Sequence, residues 1–409
     1  MTRAVVTRPF HERTEALHNL CIAITDCHHS TPNWTESGKW VVRSENIKSG
    51  RISPVPASFT DDATFRQRIS RSVPEPGDLV VTREAPMGEV GMVPEGIDCC
   101  LGQRLVLVKP DPKKVDRHFL LYAMQSEFIQ KQIGAHNATG STVSNLRIPL
   151  LKELRIPLPK NAKSIGMVLS KIDAKIDLNN RINAELETLA KTIYDYWFVQ
   201  FDFPDANGRP YRSSGGKMVW NDTLKREIPA GWEAGALSSA LHLVYGKPLK
   251  DCDRSGTGYP VMGSNGVVGY HDEYLVEGPG IVVGRKGTAG AITFSHENFF
   301  PIDTSFYVKP KANYGILFLH QLLLTLPLAR LNSDSAVPGL NRESAHRLPV
   351  ILPPVGITGV FDAIADGFAR KGRLAVNENR ELTHLRDWLL PLLMNGQVRV
   401  AERETESTP

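Results

Sequence analysis

Two arginines occupy the same place in two look-alike stretches of the chain. Arg83 lies in Val80–Gly88 (VVTREAPMG), and Arg285 lies in Val282–Gly290 (VVGRKGTAG). A guanidinium beside a glycine-bearing turn can meet a phosphate next to exposed backbone N–H groups, or can pair with O6 and N7 of guanine in a major groove. The other reading stays open: the glycines close a tight hairpin and the arginine is solvated. A polar loop follows each stretch, NATGSTVSN at 137–145 and NSDSAVPGLN at 332–341, and a Gly-Ser-Asn run lies at 263–266. Asparagine there could pair bidentately with adenine. The residues whose types suit groove or phosphate contacts are Arg83, Gly88, Arg104, Thr142, Asn145 and Arg147 in the first copy. In the second copy they are Ser264, Asn265, Arg285, Lys286, Asn341 and Arg342.

Motifs for bond-making chemistry are missing, so no catalytic residue, no cofactor and no metal site is expected. There is no [D/N/S]PP[Y/F] tetrapeptide of an amino-methyltransferase and no GxxxxGK[S/T] phosphate loop, since Gly38–Lys39, Gly216–Lys217 and Gly246–Lys247 lack the upstream glycine. The GxxGxxG spacing of Gly284, Gly287 and Gly290 is explained by a turn. No HExxH occurs, the neighbours His28–His29 and Cys99–Cys100 are not ligand-spaced, and no paired-carboxylate–lysine nuclease motif stands out. The five cysteines are odd in number and lack CxxC spacing, which fits a reducing cytoplasm rather than a disulfide framework. No signal segment opens the chain, and the most apolar run, 316–328, carries His320, Gln321 and Pro327, so it reads as a buried helix and not a membrane span. With 48 basic against 44 acidic residues the net charge of +4 is too mild to settle whether the partner is a nucleic acid.

The arginine turns need elements to hold them, and those elements also come twice. Leu79–Val81 followed by a Pro86/Gly88 turn and Val90–Val93 reads as a hairpin; 280–283, a turn at Gly287 and Gly290, and 291–294 repeat it. A third strand follows in each copy (104–108 and 305–308), then a short helix (119–130 and 315–326), then the polar loop. Each copy leaves through an apolar Pro-rich segment, Ile156–Pro159 and Ile351–Pro354, into a long helix. Repeats some 200 residues apart are a domain duplication, not a solenoid.

The two helices share one heptad frame. The a column holds Ile165, Ile172, Asn179, Leu186 and Ile193, then Phe361, Phe368, Ala375, Leu382 and Leu389. The d column is read as Val168, Lys175, Ile182, Leu189 and Tyr196, then Ile364, Lys371, Glu378, Leu385 and Leu392. Every pair differs by the same offset, 361 − 165 = 389 − 193 = 196. This predicts two long helices packed on each other as a left-handed coiled coil, each about 50 Å long at about 1.5 Å per residue. The packing residues expected are Ile165, Ile172, Ile182, Leu186, Leu189 and Ile193 with Phe361, Ile364, Phe368, Leu382, Leu385 and Leu389. The polar residues Asn179, Lys175, Lys371 and Glu378 either fix register in the seam or face solvent where it opens. Between the copies a turn-rich connector is anchored by Phe198, Phe201, Phe203, Tyr211, Trp220 and Trp232, and the charged end of the chain reads as a disordered tail.

At these motifs the chain resembles the specificity subunit of type I restriction-modification systems. The resemblance runs through ITDCHHSTP (24–32), PGDLVVTREAPMGEVGMVPEG (76–96), CLGQRLVLVKP (100–110) and TGSTVSNLRIPLLKELRIPLP (139–159). It continues through SSGGKMVWNDTLKREIPAGWE (213–233), YPVMGSNGVVGYHDEYLVEGPGIVVGRKGTAG (259–290) and the closing heptad helix. It implies an α+β fold with two duplicated β-rich target-recognition domains separated by two long antiparallel helices. The corresponding division is 1–160 first recognition domain, 161–200 central helix, 201–230 connector, 231–355 second recognition domain, 356–396 distal helix and 397–409 tail. It implies partners as well: double-stranded DNA read as a bipartite site, two modification (methyltransferase) subunits docked on the helices, and ATP-dependent restriction subunits. Methyl transfer and cleavage would belong to those partners, in the cytoplasm and without a membrane. The alternatives are a recognition subunit serving a restriction class with a fused methyltransferase-nuclease partner, and a stand-alone DNA enzyme.

Overall fold

The computed structural model describes residues 13–135, 145–331 and 339–400. Thr142, most of the two polar loops and the tail beyond residue 400 lie outside the described residues. The chain separates into two compact units, residues 1–178 with 378–409, and residues 179–377. Each unit therefore takes part of both long helices, which span Ala162–Tyr194 (the central helix) and Val355–Met394 (the distal helix).

In the first unit a six-stranded sheet is built from β1 (Cys21–Asp26), β2 (Ile47–Lys48), β3 (Gly50–Ile52), β4 (Leu79–Thr82), β5 (Val90–Met92) and β6 (Leu105–Pro110), in the order β1-β6-β4-β5-β3-β2. Leu79, Val80 and Val81 are all buried because the sheet is covered on both faces: Leu79 and Val81 join one core cluster, Val80 the other. That explains the continuous β-branched run in place of strict alternation. A smaller four-stranded sheet centred on Lys39–Val42 covers one face. Against the other lies the helix Arg117–Gln125, which stops at Ser126 before a second helix, Glu127–Ala135, so the single helix expected over 119–130 is two.

In the second unit β7 (Leu241–Tyr245), β8 (Gly280–Gly284), β9 (Ile292–Ser295) and β10 (Ser305–Pro310) run in the order β7-β10-β8-β9, the same four-strand frame as β1-β6-β4-β5. The helix Ile316–Leu324 packs on it through Phe318, Leu319, Leu322 and Leu323. A three-stranded sheet (Gly266–His271, Tyr259–Gly263, Phe300–Pro301) takes the place of the four-stranded one. The connector closes this core with Phe201, Phe203 and Trp232, whereas Trp220, read as a further anchor, is 61% exposed and only donates its indole N–H to Asp222. Strands carry one layer and helices are segregated onto it, an α+β arrangement in each unit.

Each unit pairs the long helices antiparallel. In the first, Lys175 meets Glu378 at 3.0 Å and Asp173 meets Arg386 at 2.8 Å; in the second, Tyr194 stacks edge-on against Phe361 and Gly372 lies beside Asn183. The a column points inward, from Ile165 and Phe361, both fully buried, to the partly covered Ile172, Leu186, Ile193, Phe368, Leu382 and Leu389. Most of the d column does not, Val168 and Leu392 at its ends being partly covered. Ile182, Leu189, Ile364 and Leu385 are exposed, and Lys175 and Glu378 form a rim ion pair. The inward partners stand four residues after each a position instead of three: Leu169, Ile176, Asn183 and Trp197, then Ala365, Gly372, Arg386 and Leu393. Both columns recur every seven residues, so the repeat alone does not say which flank of the a column is covered; the small Gly372 and Ala365 that let the backbones approach are invisible to a count of large apolar residues.

Candidate nucleic-acid interface

The arginine turn is held the same way in both units. Arg83 donates its N–H to the carbonyl of Arg104 (2.8 Å) and its own carbonyl accepts from Leu146 (2.9 Å); Arg285 donates to Thr304 (2.9 Å) and accepts from Leu340 (2.9 Å). Gly88 and Gly290 close the turn with N–H bonds to Thr82 and Gly284, at φ +87° and +82°. Both glycines are buried. A Cβ on Gly88 would press on Ile133, and its carbonyl already accepts from Gln130, so Gly88 is a packing position. The turn, the residue Leu146 or Leu340 bonded to it, and the segment before the last strand thus meet at the same end of the strands in each unit.

The side chains on this shared frame differ. In the first unit Arg83 is largely covered: Nη1 donates to both oxygens of Asp26 (3.0 and 3.1 Å), Nε to the carbonyl of Leu146 (3.1 Å) and Nη2 to Asn145 (3.3 Å). Four of its five guanidinium N–H groups donate inside the protein, which leaves one for a phosphate or a base and makes Arg83 first of all an internal ion-pair residue. Asn145 in turn donates to Glu84 (2.7 Å), and Arg104, at φ +64°, pairs its Nε with Glu84 (2.9 Å). Two arginines thus face two carboxylates. Arg147 stands outside this balance, exposed at the N-terminus of the short helix Ile148–Lys152.

In the second unit Tyr245 takes the place of Asp26: Asp26 lies opposite Val106 across the sheet, and Tyr245 lies opposite Phe306, its counterpart 200 residues later. Arg285 and Arg342 each lie over the Tyr245 ring at 5.0 Å. Arg285 also donates to the carbonyl of Asp303 (2.8 Å), and Arg342 pairs with Glu343 (3.1 Å). Lys286 is exposed, as is Asn265 in the turn joining two strands, while Ser264 is tied to the carbonyl of Thr304. Asn341 caps the helix Arg342–His346 by accepting from Ser344 (3.1 Å), so its oxygen is committed to the fold. A half-exposed aromatic ring flanked by guanidinium groups is a platform for stacking a base beside phosphate-binding charge. Tyr245 escapes a motif search; only the strand pairing that aligns it with Asp26 singles it out.

Burial pushes the Cys21 and Cys99 thiols up to about 12 and Cys100 to about 11, leaving them neutral and inert. Among the described residues no three His, Cys, Asp or Glu side chains are grouped to hold a metal, and no helix is long and apolar enough to cross a membrane.

The type I restriction modification DNA specificity domain matches residues 34–188 and again 229–368, once on each copy of the frame. The chain belongs to the type I restriction-modification DNA specificity family. Within the family, the type I restriction enzyme MjaIX specificity subunit of Methanocaldococcus jannaschii is 24% identical over 358 residues, covering 80% of this chain and 78% of that one. The HindI specificity subunit of Haemophilus influenzae is 23% identical over 319 residues, 60% of this chain and 69% of that one. Among solved structures, the type I S subunit from M. genitalium shares the fold with a TM-score of 0.56 at 20% identity, over 95% of this chain and 98% of that chain. The two matches account for the recurrence of the frame in the two units.

Proposed function

We propose that this chain supplies the DNA sequence specificity of a type I restriction-modification complex, each recognition edge reading one half of a bipartite duplex site while the long helices set the gap between the halves. The observation that carries this is the pair Arg83–Asp26 and Arg285–Tyr245: one backbone frame, two chemistries, as two different half-sites require. In the first half the exposed Arg147 and the polar loop offer groove contacts; in the second, Arg285, Lys286, Arg342, Tyr245 and Asn265 do.

The outward rows of the helices supply the docking face for two modification subunits. Leu178, Ile182 and Leu189 on the central helix, and Ile364, Leu385 and Trp388 on the distal one, are large apolar side chains left in water, a cost that a partner surface removes. Methyl transfer and ATP-driven cleavage then reside in the modification and restriction subunits, and the chain itself only positions them. Methylome sequencing with and without this gene tests the reading: an interrupted methylated motif disappears on deletion. Its persistence, or methyl transfer by the purified chain alone with S-adenosylmethionine and DNA, overturns it.

A further inference from the structure

In the first unit a cleft of about 1280 Å³ opens at the end of the sheet remote from the Arg83 turn, between the loop at Gly77–Asp78, the segment after β6 and the first turn of the central helix. Seven basic side chains line it against two acidic ones, Asp78 and Asp116. Both acids are occupied, Asp78 with Lys109 and Asp116 in capping Phe119. Among the described residues Arg13, Lys113, Lys160, Lys163 and Arg399 are exposed and have no ion pair or side-chain hydrogen bond. Seven minus two leaves +5, more than the +4 of the whole chain, gathered in one concavity.

The second unit shows what its own fold does at the matching shoulder. Strand pairing aligns Arg13 with Trp232, each two residues before the partner of the equivalent Ile156 and Ile351. The 196-residue helix offset aligns Arg399 with Phe203. Trp232 and Phe203 stack at 4.9 Å, with Tyr211 stacked on Phe203 at 4.6 Å, so in that unit the connector plugs the place with polypeptide. Two arginines stand where the aromatic plug would be. Along β6 the shoulder is about 20 Å from the Arg104 end, at about 3.3 Å per residue, too far for its lysines to share the stretch of duplex that the turn would read.

Resting on the specificity-subunit reading, we propose that this cleft is a docking site for an acidic polypeptide segment of a partner subunit, which occupies in trans the place that the connector fills in the second unit. Charge complementarity of this kind sets partner choice and association rate, and it weakens with salt.

The test uses the full chain carrying Lys113→Gln, Lys160→Gln and Lys163→Gln, with the three Lys→Arg changes as the charge-preserving control. Affinity for the purified modification and restriction subunits is measured at low and high salt, and duplex binding is measured on the assembled complex. The Gln variant should bind one of these subunits at least about tenfold more weakly at low salt, the gap closing at high salt, with the Arg variant unaffected and site discrimination on DNA unchanged. Equal subunit affinities for the Gln variant and the native chain overturn the proposal. So does an unchanged subunit affinity with a DNA salt slope lowered by about 0.9 per lost contact, which would assign the cleft to phosphates. A native chain that joins no modification subunit at all would instead sink the family-level function, so the two failures are distinguishable.

Discussion

Asp362 and Gly315 divide one site between them. From the distal helix Asp362 accepts from the N–H groups of Leu317 and Phe318, at 3.0 Å each, capping the helix Ile316–Leu324, and any side chain at 315 would collide with its carboxylate. The first unit inverts the arrangement. Asp116 caps its own helix through Phe119 (2.9 Å), and Gly166 on the central helix makes room, since a Cβ there would stand 2.6 Å from Asp116 Oδ1. Gly166 and Asp362 are related by the 196-residue helix offset, so the carboxylate has changed elements while keeping its place at a helix N-terminus, where the unpaired amides and the dipole call for it.

This swap predicts a strong coupling. Asp362→Gly alone removes the cap at a cost of about 1–2 kcal/mol, and Gly315→Asp alone sets two carboxylates against each other. The double variant Gly315→Asp with Asp362→Gly gives the second unit the first unit's arrangement and should recover most of the loss. Denaturation midpoints of the four proteins give the coupling energy directly; additive effects would mean the two positions do not share the site.

The two arginines of the sequence repeat should part company on mutation. Arg83→Ala leaves the partly buried Asp26 with His29, at 3.0 Å, as its side-chain partner and frees the Leu146 carbonyl, so it should cost about 1–3 kcal/mol of stability in the first unit. Arg285→Ala leaves no partly buried acid behind. It should leave the melting temperature nearly unchanged while weakening specific duplex binding by about 1–3 kcal/mol. Equal losses of stability in both variants would refute the distinction.

The duplication, the hairpins and the two long helices were legible in the sequence because each rests on local pattern: β-branched runs ended by Pro and Gly, and apolar residues at fixed offsets over five heptads. What was not legible depends on contacts far along the chain. Whether Arg83 faces solvent is decided by Asp26, 57 residues earlier, and whether Arg285 has a ring beneath it is decided by Tyr245. Ile182 and Leu189 look like seam residues until Gly372 and Ala365 show which flank of the helix is covered. Gly166 gives no sign, without Asp116 beside it, that it is a vacated cap.

Those two flanks of the central helix should respond oppositely. Leu169→Ala, at a fully buried position packed in the first unit's core, should cost about 2–5 kcal/mol in thermal or urea unfolding. Leu189→Ala, about half exposed, should change stability by less than about 0.5 kcal/mol. Its effect should appear in titration with the modification subunit, as weaker binding. If Leu189→Ala destabilises the isolated chain as much as Leu169→Ala, the inward row has been misassigned.

Acid should loosen the second unit through His320. Burial is the larger cause holding its pKa down at about 4 against an ordinary 6.5, with His296 adding repulsion; His296 and His346 are lowered in the same direction, chiefly by burial. His346 is kept neutral by accepting the Leu243 N–H at 3.0 Å. Between pH 6.5 and 4 the unfolded chain binds a proton at position 320 that the folded chain refuses. Stability is therefore full above 6.5, falls as pH drops through this window, and flattens near 4, by up to about 3 kcal/mol for this residue. Urea midpoints at pH 7.5 and 5 should converge in His320→Gln relative to the native chain, because the variant has no imidazole to titrate; an identical pH dependence in the two proteins would show that His320 is protonated in the fold as readily as in water.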